Sequence, residues 1–228
     1  NYVGAAWQQV YWQANYQNIR HFDWEQMYQT NYNQNDPLDE QIYGPGRRSN
    51  YMVEERHTDQ LDWNLAASFS HIFRDNSRIN GGLSLRRNRT EYYSQVKDLL
   101  GGDYNLDYYN KYGHAHAAKV GDKYSYDYYA HVLSTRAWAS YGFNIGGLGI
   151  TVGGEVGYAK LWREGLWRKG LFPDNSKGDS RKLDYLTYKA KCNFSYRFSA
   201  AHAVEANVVY MQEAPEFQSS FVSPRTRN

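Results

Sequence analysis

Residues 186–210 read LTYKAKCNFSYRFSAAHAVEANVVY. From Leu186 the even positions are Leu186, Tyr188, Ala190, Cys192, Phe194, Tyr196 and Phe198, and the odd ones are Thr187, Lys189, Lys191, Asn193, Ser195 and Arg197. One set is apolar and uncharged, and the other is polar. A period of two with unlike faces is the signature of a β-strand that meets two environments. After Ser199-Ala200-Ala201, the positions Val204, Ala206, Val208 and Tyr210 alternate with Glu205, Asn207, Val209 and Met211. The stretch predicts a long antiparallel hairpin.

The same pattern recurs upstream. Residues 51–73 place Leu61, Trp63, Leu65, Ala67, Phe69 and Phe73 on one face, and residues 79–86 return with Ile79, Gly81, Leu83 and Leu85. Residues 123–143 alternate Leu133, Ala137, Ala139, Tyr141 and Phe143 with Ser134, Arg136, Trp138 and Ser140. Their return strand sets Leu148, Ile150, Val152, Val156, Tyr158 and Trp162 against Thr151, Gly153, Glu155, Gly157 and Arg163. The chain is therefore expected to be all-β, an antiparallel up-and-down meander of about six long strands.

The connections separate two versions of that fold. Short turns at residues 74–77, 144–147 and 199–201 alternate with long excursions at residues 93–123 and 165–182, so all short turns fall at one end of the sheet. Transmembrane barrels of the outer membrane have this asymmetry. Phe69, Phe73, Tyr141, Phe143, Tyr196 and Phe198 cluster beside the short turns, where an interfacial aromatic girdle would lie. Soluble sandwiches also alternate, but their strands seldom exceed about ten residues. Six strands are too few to close a barrel, so the expectation is an arc of a larger transmembrane β-barrel. The alternatives are a soluble β-sheet binding protein that uses tyrosine-rich loops, and a porin-like barrel segment.

Composition agrees. Of 228 residues, 23 are tyrosines, while 26 basic residues nearly balance 24 acidic ones, so nothing points to nucleic acid. No run is long and apolar enough for a membrane helix, a test that strands escape because only alternate residues meet lipid. No signal peptide is read at the first residues. Residues 1–50 form a polar, aromatic segment containing Trp7, Tyr11, Trp12 and Tyr16, with one short helix expected over residues 21–32 and a loop from Asp36-Pro37 to Gly46. Residues 51–218 hold strands and external loops, and residues 219–228 begin the next connection.

Four stretches carry a resemblance: YMVEERHTD (51–59), KDLLGGDY (97–104), LWREG (161–165) and FVSPRTRN (221–228). In order and spacing they resemble the barrel region of TonB-dependent outer-membrane receptors of the Bacteroidetes type. The resemblance implies a 22-stranded barrel plugged by a globular domain, which imports a scarce nutrient such as a siderophore, glycan or peptide with energy from TonB. It also implies outer-membrane lipid, the plug, the remaining strands, the TonB complex and a surface lipoprotein as partners. This chain lacks recognisable plug and TonB-contacting stretches.

Candidate side chains follow from these faces. Arg136, Glu155, Arg163, Lys189 and Lys191 share the polar face and are expected to look into a lumen or onto a plug. Tyr104, Tyr108, Tyr109, Tyr112, Tyr126 and Trp167 lie in the external loops, where rings can stack on a ligand. His114 and His116 alternate, but no cysteine joins them, and no metal or other cofactor is expected. Glu54 and Glu55 point to opposite faces, so they cannot share a proton, and no catalytic arrangement is read. Cys192, the sole cysteine, is read as a small hydrophobe on the apolar face.

Overall fold

A computed structural model describes residues 23–34, 36–108, 110–112 and 114–228. Trp7, Tyr11, Trp12, Tyr16 and Tyr109 lie outside the described residues. The elements in chain order are α1 (Trp24–Tyr32), α2 (Pro37–Tyr43), β1 (Val53–Ile72), β2 (Arg78–Asp98), β3 (Asn105–Asp107), β4 (His116–Ala118), β5 (Lys123–Ile145), β6 (Leu148–Gly165), β7 (Gly178–Asp179), β8 (Leu183–Arg197), β9 (Ala203–Gln212) and α3 (Phe217–Ser220). The six long strands pair in the order β1-β2-β5-β6-β8-β9, all antiparallel, and the short β7 pairs with β6. The result is the expected meander, with β1 and β9 as its edges.

Register converts the alternation into one surface. Leu65 lies opposite Leu85, which faces Thr135, then Tyr158, then Leu186. Ala67, Leu83, Ala137, Val156 and Tyr188 form the next row, and Ala139, Gly154, Ala190 and Tyr210 continue the one below. Between these rows and the short turns, no charged residue falls on this face. Leu65, Leu83, Val156, Leu186 and Val208 remain 59–71% exposed. Face-to-face cover for the apolar surface is absent among the described residues. At its turn end, Tyr141 lies between Phe73 and Phe143 at ring-centroid distances of 6.4 and 5.6 Å, and Tyr196 is 6.5 Å from Phe198.

The turns have local causes. Asp75 Oδ1 accepts from the Ser77 backbone N–H at 3.1 Å and from its hydroxyl at 2.7 Å, which bends the chain around Asn76 at φ +62°. The β5–β6 turn uses Gly146 at φ +58°, a left-handed conformation that favours glycine.

Several boundaries differ from the sequence reading. β2 continues to Asp98, so the first excursion spans residues 99–122 and contains the β3–β4 hairpin. Residues 87–98 lack a clean apolar alternation, with only Tyr92 and Val96 packed into buried clusters on one face, yet their backbone remains laddered to β1 and β5. Asp36-Pro37 starts α2 rather than a loop: the Asp36 carboxylate accepts from Leu38 N–H at 2.9 Å, and Pro37 occupies the first turn, where no N–H is needed. Residues 217–228 pack against the sheet. Phe217 joins Tyr126, Tyr128, Ala130, Ala159 and Leu161 in the main buried cluster, with Phe221 against it.

The apolar side therefore switches along the strands. Near the short turns the outer face is apolar and open; near the long loops the inner face is aromatic and covered by residues 214–228.

Candidate functional site

The long loops share one end of the sheet, and two sets of contacts order them. α1 is fastened by Asn31, fully buried, whose amide donates to the carbonyls of Tyr51 (2.9 Å), Leu99 (2.9 Å) and Leu100 (3.1 Å). Its oxygen accepts from the backbone N–H groups of Asn50 and Tyr51. Ser49 adds a hydroxyl bond to Leu99 O at 2.6 Å, and Asp98 caps Leu100 N–H at 2.8 Å. The KDLLGGDY stretch is thus a docking ledge for residues 31–51.

The second set centres on Arg163, which is 1% exposed. Its guanidinium donates to Ser176 O at 2.9 Å, to Pro224 O and to Asn228 Oδ1, while its carbon Cζ lies 4.9 Å from the Tyr128 ring centroid. The LWREG and FVSPRTRN stretches meet here. Arg163 is therefore not open to a lumen, because it is buried and its Nε and Nη1 groups donate to the chain's own oxygens.

Lys169 lies beside this network and was not singled out by sequence reasoning. It is 4% exposed, donates to Ser125 O, and sits 5.9 Å from the Tyr126 ring centroid. Burial pulls its pKa down to about 8, opposed by nearby Asp107 and reinforced by Arg163. The folded value thus lies below the ~10.4 of an unfolded lysine. The unfolded chain holds the extra proton between those values, so stability is lowest below about pH 8 and rises as pH climbs towards 10. We expect native-state exchange of the 166–180 amides, corrected for intrinsic rate, to show greater protection at about pH 9.5 than at about pH 7. A flat profile contradicts the burial of this charge.

The ring candidates divide by burial. Tyr104, Tyr126 and Trp167 are 3%, 7% and 7% exposed. Tyr104 packs against Tyr43, and Tyr126 against Tyr128 and the Arg225 guanidinium, so these rings stabilise the loops and offer no stacking face. Among the described ring candidates, Tyr108 and Tyr112 are exposed, at 59% and 50%. Asn110 holds their turn by donating to the carbonyls of Asp107 and His114 and accepting from Tyr112 N–H at 2.7 Å. The Tyr112 ring is backed by His116 at 4.5 Å and His114 at 6.2 Å.

On the polar inner face, Arg136 pairs with Glu155 at 3.7 Å and Lys189 with Glu213 at 3.5 Å. Glu155, Lys189 and Lys191, with Thr151, Trp138 and Gly153, line an open depression of about 260 Å³, and Arg136 reaches its edge through Glu155. Register brings four of the five inner-face candidates to this region; Arg163 is the exception. Gly157 has no room for a side chain, since a Cβ there would fall 2.6 Å from Thr187 Oγ1 and 2.8 Å from Thr135 O.

Comparison of the chain with protein-family models, curated proteins and solved structures finds no match.

Proposed function

We propose that this chain is an arc of a transmembrane β-barrel, part of the wall of a 22-stranded TonB-dependent outer-membrane transporter that imports a scarce nutrient and performs no chemistry on it. The observation that carries the barrel reading is the uncharged, exposed face that runs unbroken across six registered strands. On β5 it extends from Thr135 to Ile145, about 26 Å in height at ~3.4 Å per residue and a tilt of ~40°, close to the ~25 Å apolar band of outer-membrane barrels. Among the described residues no helix is long and apolar enough to cross a membrane, so strands make the crossing. In lipid every backbone group needs a partner, and the free edges of β1 and β9 call for further strands.

The transporter class rests on the resemblance of the four motif stretches. Under it the short turns face the periplasm, the long loops face outward, and Tyr108 and Tyr112 contact ligand. Arg136, Glu155, Lys189 and Lys191 then face a plug. Uptake by the producing cell tests this class: loss of the protein should abolish uptake of one nutrient, and collapse of the inner-membrane proton gradient should do the same. Uptake that survives collapse of the gradient supports a passive, porin-like wall instead.

A further inference from the structure

On the outer face, the first two rows beyond the apolar band are not generic polar surface. In the row next to the lipid band, Trp63, Arg87, Leu133, Lys160 and Asp184 lie side by side across five strands. In the row beyond it, Leu61, Arg89, His131 and Trp162 are neighbours, and Lys182 Nζ lies 5.3 Å from the Trp162 ring centroid. Arg89 lies over the Tyr129 ring at 5.0 Å, and His131 stacks on Trp162 at 4.6 Å.

The carboxylates on this face are engaged. Asp184, in the first row, pairs with Lys160 at 3.4 Å; in the third row out, Glu164 contacts His131 at 2.9 Å, Glu91 pairs with Lys123, and Asp59 accepts from the Tyr93 hydroxyl at 3.1 Å. Among the described residues, Arg87, Arg89 and Lys182 have no carboxylate ion-pair partner. Arg87 and Arg89 project from one face about 7 Å apart along β2. Surplus cations set among indole and phenol rings, immediately above an apolar band, match the position and charge of lipid phosphates.

We propose that Arg87 and Arg89 bind the phosphate of an anionic lipid headgroup in the leaflet at the loop end of the barrel, while Lys182, three strands away, adds long-range positive charge. The inference rests on the transmembrane reading, since a soluble sheet presents this belt to water alone. Charge complementarity names the occupant: guanidinium forks match phosphate oxygens in a bidentate manner. The rings hold the belt at headgroup depth, and the apolar row of Leu65, Leu85 and Leu186 lies immediately below it.

The test uses the full chain in phosphatidylcholine bilayers, with spin-labelled phosphatidic acid or spin-labelled phosphatidylcholine as probe. The native chain should favour the phosphatidic acid probe, and that preference should fall by about fivefold for each guanidinium removed in Arg87→Gln/Arg89→Gln. Arg78→Gln/Arg197→Gln removes the same charge from the turn end of the inner face and should keep the preference. Equal affinity for the two probes, or an equal loss in both double variants, overturns the headgroup site while leaving the barrel reading intact. Failure of the native chain to enter the bilayer overturns both.

Discussion

Val156→Arg is expected to prevent stable insertion of the chain into detergent or lipid. Val156 is 59% exposed and stands between Ala137 and Tyr188 in the uncharged rows of the outer face. If lipid covers this face, arginine in the loop-side half of the band costs about 2 kcal/mol, between the midplane and interfacial values, which moves the folded fraction by roughly 30-fold. Ser195→Arg is the matched control. Ser195 lies on the opposite face beside Glu205, and the change should stay within about 0.5 kcal/mol, as for an ordinary surface site. Urea titration of both variants in the same micelle measures the contrast. Equal midpoints mean that water, not lipid, meets the apolar face.

Arg163→Ala should produce the second large effect, confined to the loop end. The change leaves Pro224 O, Ser176 O and Asn228 Oδ1 without their donor and uncovers the Tyr128 ring. Buried acceptors left unmade cost about 1–3 kcal/mol each, partly offset because a desolvated cation is also removed, so a net loss of about 3 kcal/mol is expected. Amide exchange should accelerate through residues 214–228 and the 166–180 loop, while β8 and β9 remain protected. Arg163→Lys should fall between the two, since one ammonium cannot reproduce a guanidinium fork. If the lysine and alanine variants exchange like the native chain, Arg163 does not hold the C-terminal segment.

The two effects map onto what was and was not legible in the sequence. Wherever the two faces of a strand meet different media, as at Leu186–Phe198 or Leu83–Leu85, alternation alone identifies the strand and its outward side. It fails at Glu91–Asp98, because beyond the apolar band the buried face is built from Tyr92, Ser94 and Val96, too mixed to alternate in hydropathy, while the backbone ladder continues. It fails again for the tyrosines. An amphipathic ring suits both a loop surface and a loop core, so Tyr104 and Tyr126 are indistinguishable from Tyr108 and Tyr112 until tertiary packing separates them. The contacts of Asn31 with Leu99 and of Arg163 with Pro224 join residues 68 and 61 positions apart. No local pattern announces such pairings. What the motif stretches do show, once folded, is a shared purpose: KDLLGGDY anchors α1, and LWREG with FVSPRTRN closes the inner face.

The most direct test of the membrane-facing sheet uses the sole cysteine. Cys192 sits on the outer face between Val152 and Val208, and a nitroxide attached there reports its surroundings by collision with oxygen or with a water-soluble nickel chelate. In bilayers, the label at Cys192 should collide readily with oxygen and little with nickel. The pattern should invert in a Cys192→Ser/Asn193→Cys chain, whose label points to the polar face. A nitroxide at Cys192 that is reached more readily by nickel than by oxygen, or that is shielded from both, would contradict the account. The first result would mean a water-exposed sheet and the second a covering layer of protein.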